Sequence, residues 1–288
     1  MSQIWRGVSG GIEVLENVNE MADIPDISTI DSEGVWYIEN GEFAPDYIAP
    51  TNWDSSAGEF TDWFSLFDGR ILSDIPDSGG LHEYWASQED GFDDEDPINT
   101  LSDQIADNDL SGTAMFREDD LGGRDAIDYD GTDDGHSGDS AADDGEYTLL
   151  FVARLDSVDS GDRTLYSNGD FGNDGFALRT RGGEWNVTHG GVASEGGASA
   201  DTDRHLFTVR YDGSNLNLRI DGADDFDRSV GYNSAGENDD LTVGKAPSDS
   251  ENTNMTFGFA RPHDRHIDGE ELDDMEQSLA DFYDINLS

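Results

Sequence analysis

The chain has 288 residues and a formal charge of −51, from 66 Asp and Glu against 15 Lys and Arg, with a single lysine, Lys245, and no cysteine. At ordinary ionic strength that much like charge repels itself, whereas molar salt shortens the Debye length to roughly 3 Å, so the composition is that of a halophilic protein. Scarce Lys and Arg exclude a basic face for nucleic acid, the absence of Cys excludes disulfides, and no run of about 18 apolar residues is available to span a membrane.

The opening Met1-Ser2-Gln3-Ile4-Trp5-Arg6 lacks the apolar core of a signal peptide, which predicts synthesis and folding in the cytoplasm. Five of the six Trp lie early, at Trp5, Trp36, Trp53, Trp63 and Trp85. Short apolar alternations such as Val35, Tyr37 and Trp63, Ser65, Phe67, each bounded by turn formers, predict short strands. Asn40-Gly41 is a hairpin signal, because both central positions take positive φ cheaply. The acidic stretch Gln88 to Asp96 is one no core could bury unpaired, so the division is expected there: residues 1–90 as a β-rich anchoring and oligomerisation module, and 91–288 as a second domain.

In the second domain, Tyr147 to Leu155 is apolar on both faces and predicts a central strand. His205 to Tyr211, the turn Asp212-Gly213-Ser214-Asn215 and Leu216 to Gly222 predict an alternating hairpin with Leu216, Leu218 and Ile220 on one face. Met255, Phe257 and Phe259 predict another inward row. Asp268-Gly269-Glu270-Glu271 is a capping-box pattern, and Leu272, Met275, Leu279 and Phe282 follow at near-helical spacing, predicting a short closing helix. The expected fold class is therefore all-β: a small N-terminal antiparallel module, then a two-sheet jelly-roll sandwich with a C-terminal helix.

Several residues are candidates for chemistry. Asp130, Asp133 and Asp134 on one Gly-flanked loop could supply oxygens to Ca²⁺, the one cofactor expected, although in a chain this acidic the alternative is a hydrated surface. Trp185 beside Asn186 and His189 forms a candidate glycan-binding set, with a core Trp as the alternative. His263-Asp264-Arg265-His266 reads as a surface turn, since no third metal ligand accompanies it.

The order of these pieces resembles the laminin-G-like, concanavalin A-like jelly rolls. Tyr129 to Asp134 matches the family's aromatic, Asp, Gly, x, Asp, Asp strand, Thr148 to Val152 its apolar strand, and Leu241-Thr242-Val243-Gly244 its late strand. Asp203-Arg204-His205-Leu206, Tyr211-Asp212-Gly213 and Ile220-Asp221-Gly222 match its hairpin, with Arg204 in place of the usual Trp. Gly258 to His263 follows the family's late strand only loosely. In the first domain, Gly34 to Glu39 and Asp62 to Gly69 resemble small β-modules of tail-fibre and other appendage proteins of tailed viruses.

These resemblances imply a virion surface protein of a haloarchaeal tailed virus. Residues 1–90 would anchor it to other virion proteins and form a homo-oligomer, a trimer or else a pentamer, and the jelly roll would contact host-surface glycan or S-layer glycoprotein. The alternative is a cellular carbohydrate-binding module or glycoside hydrolase. Glucanase relatives need an acid, apolar, acid strand. Here the acidic pairs, such as Asp119-Asp120 and Asp224-Asp225, all sit in turn-like sequence, so the expectation is of a protein that is not an enzyme.

Overall fold

The computed structural model describes residues 80–89, 91–139, 145–169, 175–230, 240–247 and 251–288, and the backbone alone for residues 192–195 and for five strands nearer the N-terminus. The chain divides into two compact units, Met1–Asp77 and Ser78–Ser288. The first is an antiparallel sheet of β1 (Ser2–Val8), β2 (Gly11–Val18), β3 (Trp36–Glu39), β4 (Asp46–Asp54) and β5 (Glu59–Ser65), in the order β2-β1-β3-β4-β5. Asn40-Gly41 lies outside the described residues.

The second unit holds β6 (Tyr84–Trp85), β7 (Pro97–Leu101), β8 (Leu110–Arg117), β9 (Ala126–Asp130), β10 (Gly135–Gly138) and β11 (Tyr147–Leu155). These are followed by β12 (Arg163–Asn168), β13 (Phe176–Arg181), β14 (Glu184–His189), β15 (Val192–Ser199) and β16 (Arg204–Tyr211). The unit ends with β17 (Asn215–Ile220), β18 (Ala223–Ser229), β19 (Leu241–Val243), β20 (Asn254–His263) and the helix α1 (Gly269–Tyr283). Trp85, grouped by sequence with the N-terminal tryptophans, belongs to this unit: β6 pairs with β20, and the Trp85 ring packs 4.4 Å from that of Phe259.

Hydrogen bonding runs in one antiparallel path, β15-β14-β13-β12-β19-β10-β8-β9-β20-β11-β16-β17-β18, with β7 paired to β8. The path folds over on itself into two layers, each burying an apolar face against the other. Rings from distant strands meet in the middle: Phe151 of β11 with Tyr166 of β12 at 6.0 Å, Tyr147 with Phe176 at 4.1 Å, and Trp185 of β14 with Phe207 of β16 at 4.7 Å. At the two ends of the path, the Asp225 carboxylate of β18 accepts hydrogen bonds from the Gly197 and Ala198 amides of β15. Leu149, Phe151, Val209, Leu218 and Phe257 all lie in the core, as their alternation predicts.

One member of a predicted row departs. Met255 and Phe257 point into the core, but Phe259 does not, because the β11 register jumps from Ala153 opposite Phe257 to Val152 opposite Phe259. Gly258 is the extra residue of a β-bulge, and it turns the following side chain to the outer face. There Phe259 packs with Trp85 beneath the C-terminal end of α1, whose Phe282 lies 5.2 Å from the Trp85 ring.

Helix α1 buries Leu272, Met275 and Leu279 on the spacing expected. The capping box is not formed: Asp268 occupies the N-cap position without a side-chain bond, while Glu271 is engaged by the Arg265 guanidinium. A charged guanidinium outcompetes a backbone amide for that carboxylate, and it holds Glu271 below the usual carboxylate range. Buried Glu276 ties the helix to the sheet, accepting from Thr208 Oγ1 at 2.6 Å and pairing with Arg219 at 3.1 Å.

Candidate functional site

A cleft of about 430 Å³ opens at one rim of the second unit. Five segments distant in sequence build it. The turn after β8 contributes Asp120 to Gly122, the end of β11 contributes Arg154, the approach to β16 contributes Thr202 to His205, and Asp221 and Asp284 to Asn286 complete the wall.

Each wall is fixed locally. Leu121 and Arg124 exchange backbone hydrogen bonds, and Arg124 lies over the Phe282 ring at 4.3 Å while donating Nε to the Phe282 carbonyl at 3.0 Å. This fastens the β8 turn to the end of the helix. Asp221 and Gly222 both hold positive φ, 50° and 80°, in the two-residue hairpin between β17 and β18, as a type I′ turn requires. That turn aims the Asp221 carboxylate back at β16, where one oxygen accepts from the Leu206 amide at 2.9 Å and the other lies 2.7 Å from His205 Nδ1. The second imidazole nitrogen, Nε2, lies 2.9 Å from Asp201. Burial works against the imidazolium, but hydrogen bonds to Asp221 and Asp201 and their negative charges outweigh it, raising His205 above the usual range.

The two cleft arginines differ in how many donors are spent. Arg154 donates to the Asp120 carbonyl at 3.0 Å, to the Asp120 and Asp156 carboxylates, and to Thr256 Oγ1 at 2.8 Å. Arg204 commits Nη2 to Asp284, whose carboxylate lies at 2.7 Å, and its Nε and Nη1 make no hydrogen bond among the described residues.

The structure brings Asp130, Asp133 and Asp134 together on the loop between β9 and β10, with one carboxylate oxygen of each within 4.8 Å of the others. That spread compares with about 4.6–5.2 Å across a Ca²⁺ ion holding oxygens on opposite sides. Asp130 accepts from the Thr132 amide at 2.6 Å, Asp134 accepts from Thr113 Oγ1 at 3.1 Å, and the Asn252 amide donates to the Thr132 carbonyl, so the loop is internally braced. Burial, followed by the charges of Asp130 and Asp133, pushes Asp134 upward.

Trp185, Asn186 and His189 are placed differently from a sugar platform. All three lie on β14, which is buried on both faces, and Trp185 is only 2% exposed. The Trp185 ring faces the core and meets Phe207 and His205 edge-on, while His189 Nδ1 lies 3.0 Å from the Tyr147 hydroxyl. In the 263–266 turn, His263 is buried and the Arg265 carbonyl accepts from Thr148 Oγ1.

No family model matches the chain, and no curated protein matches it. Solved structures do. A Trypanosoma rangeli sialidase in complex with sialic acid aligns with TM-score 0.56 at 14% identity, over 72% of this chain and 34% of that one. The binding domain of botulinum neurotoxin serotype D/C aligns with TM-score 0.53 at 12% identity, over 69% of this chain and 52% of that one. A structure of botulinum neurotoxin type C, whose cell entry is dependent upon interaction with two ganglioside molecules, aligns with TM-score 0.50 at 15% identity, over 64% and 51%. The chain thus spans about a third of the sialidases and about half of the toxin structures it matches. At these identities the likeness establishes the fold, a β-sandwich.

These neighbours correct one expectation. The lack of an acid, apolar, acid strand led to the expectation that the chain is not an enzyme, yet sialidases, including a mutant displaying trans-sialidase activity, stand among its structural neighbours. The paired-carboxylate pattern belongs to one kind of glycoside hydrolysis and sets no limit on others, some of which use a Tyr nucleophile.

Proposed function

We propose that residues 78–288 form a glycan-binding sandwich module. The observation that carries the reading is the open cleft in which Asp, Arg, His and Thr side chains converge beside half-buried Ile285, a mixture suited to a sugar's hydroxyls and C–H face. Support comes from neighbours of the same fold, one in complex with sialic acid and one a toxin dependent upon gangliosides. The candidate sugar contacts accordingly move from Trp185, Asn186 and His189 to this cleft. We read the jelly roll as laminin-G-like, on the hairpin ending in Asp221-Gly222.

In the fuller form of this proposal the module is displayed on the virion surface of a haloarchaeal tailed virus. Residues of the first unit hold it to the particle as a cyclic oligomer, and repeated weak contacts with host-surface glycan add up through avidity. A charge of −51 and the tail-fibre-like sequence of the first unit support this form. A second reading, a module of a glycan-processing protein, is favoured by the sialidase neighbours, of which the chain spans 34%.

Screening the full chain on a glycan microarray in molar KCl, with hydrolysis of bound glycans followed on the same samples, tests both. Binding without cleavage supports the first reading, binding with cleavage the second, and no binding removes both. We also propose that Asp130, Asp133 and Asp134 hold Ca²⁺. Added Ca²⁺ at constant ionic strength then raises the melting temperature of the parent by mass action and leaves Asp133→Ala unmoved; equal rises in both would refute the site.

A further inference from the structure

Resting on the glycan-binding reading, we infer that the rim cleft takes a neutral, hydroxyl-rich sugar in preference to an acidic one, with Arg204 as donor and Asp203 as acceptor.

Arg154 spends all but one Nη1 hydrogen on Asp120, Asp156 and Thr256. Both oxygens of Asp221 are committed, to His205 and to the Leu206 amide. Among the described residues the cleft groups that keep capacity include the Arg204 guanidinium through Nε and Nη1, the Asp203 carboxylate, which accepts no hydrogen bond, the Thr202 hydroxyl and the Asn286 amide. Asp203 and Arg204 are consecutive, and both line the same opening. A carboxylate that can only accept and a guanidinium that can only donate are together complementary to hydroxyls, which do both.

An acidic sugar meets a different balance. Its carboxylate would enter a wall that carries Asp120, Asp203, Asp221 and Asp284 against two arginines and the His205 imidazolium, of which His205 has both nitrogens engaged by carboxylates and Arg204 keeps the most unspent donors. Asp284 already neutralises part of that remaining charge at 2.7 Å. The chain's overall charge of −51 repels an anion further at any salt that does not fully screen it. Thus the cleft differs in ligand preference from the sialic-acid complex whose fold it shares.

Titration calorimetry on the full chain in molar KCl tests this with methyl α-mannoside, methyl α-glucoside and methyl β-galactoside, and with the methyl glycoside of N-acetylneuraminic acid beside its neutral methyl ester. We expect at least one neutral glycoside to bind, the ester to bind more tightly than the acid, and Asp203→Asn and Arg204→Gln each to weaken neutral-sugar binding on the order of tenfold. Asp203 has no side-chain partner to lose, so Asp203→Asn reports binding even if Arg204→Gln disturbs the Asp284 contact. An acid bound more tightly than its ester overturns the inference. So does sugar binding unchanged in both variants, which leaves the glycan-binding reading intact with its site elsewhere. Failure of every glycan, on the microarray as well as here, overturns both.

Discussion

His205 Nδ1 lies 2.7 Å from a carboxylate oxygen of Asp221, joining the first residues of β16 to the hairpin turn that follows β17. Asp201 lies 2.9 Å from the opposite nitrogen, so the ring sits between two acceptors and is held best as the imidazolium. The Asp221 carbonyl in turn accepts from the Ser288 amide at 2.9 Å, which brings the C-terminal residues to the same corner. The His205 cation thus braces this corner of the cleft wall.

That bracing has a definite pH signature. Because the native pKa of His205 is raised above 6.5, its stabilisation is fully present below 6.5 and lost as pH rises through the higher native value. Thermal unfolding at constant high salt between about pH 5 and pH 9 should show the parent exceeding His205→Asn at the acid end, with the gap narrowing as pH rises. A gap that stays constant would mean the imidazolium is not the stabilising form.

Two other histidines behave in the opposite way. Burial pushes His136 and His189 down to about 4, so both are neutral in the native state near neutrality. Their NMR signals should stay fixed from about pH 8 to pH 5 while those of His205 move above 6.5. Stability should fall on acidification below 6.5, since the unfolded chain takes up those protons first. Movement of the His136 or His189 signals near 6.5 would contradict their burial.

The bulge at Gly258 gives a packing test. A Cβ there would lie 2.7 Å from Leu121 Cδ2 and 2.8 Å from the Tyr283 ring, and Tyr283 is fully buried. Gly258→Ala should cost about 1–3 kcal/mol by overpacking. Removing the Phe151 ring from the centre of the core should cost about 3–5 kcal/mol. Denaturant unfolding measures both, and a neutral Gly258→Ala would show that Leu121 and the helix end yield freely.

Legibility followed periodicity. Leu216 and Leu218 fall inward because alternation is visible in the hairpin sequence, Leu149 and Phe151 belong to a strand apolar on both faces and so read as central, and Asp212 closes its turn by accepting from the Ser214 and Asn215 amides, as turn chemistry predicts. Phe259 escaped because a single inserted residue reverses every later side chain, and no composition rule marks Gly258 as that insertion. On β14, Trp185 and Asn186 sit on opposite faces that are both covered, which alternation alone does not reveal. The acidic loop was legible because its three carboxylates are sequence neighbours. Of the cleft, Asp203, Arg204, His205 and Asp221 stood out, as parts of one hairpin; Arg154 and Asp284 join them through the fold. The positive-φ pair Asp221-Gly222 was the one local signal pointing at that corner.

Salt dependence follows from composition. With −51 charges on 288 residues, screening should raise the melting temperature steeply between dilute and molar KCl. A melting temperature flat over that range would show that charge repulsion does not limit this fold.

The central claim is that the rim cleft is a glycan site, and a crystal structure of the full chain grown in high salt with a bound neutral oligosaccharide tests it most directly. The account predicts sugar hydroxyls within hydrogen-bond distance of Asp203 and Arg204, with a C–H face against Ile285. Sugar seated elsewhere on the sandwich, with the cleft holding solvent alone, would contradict it.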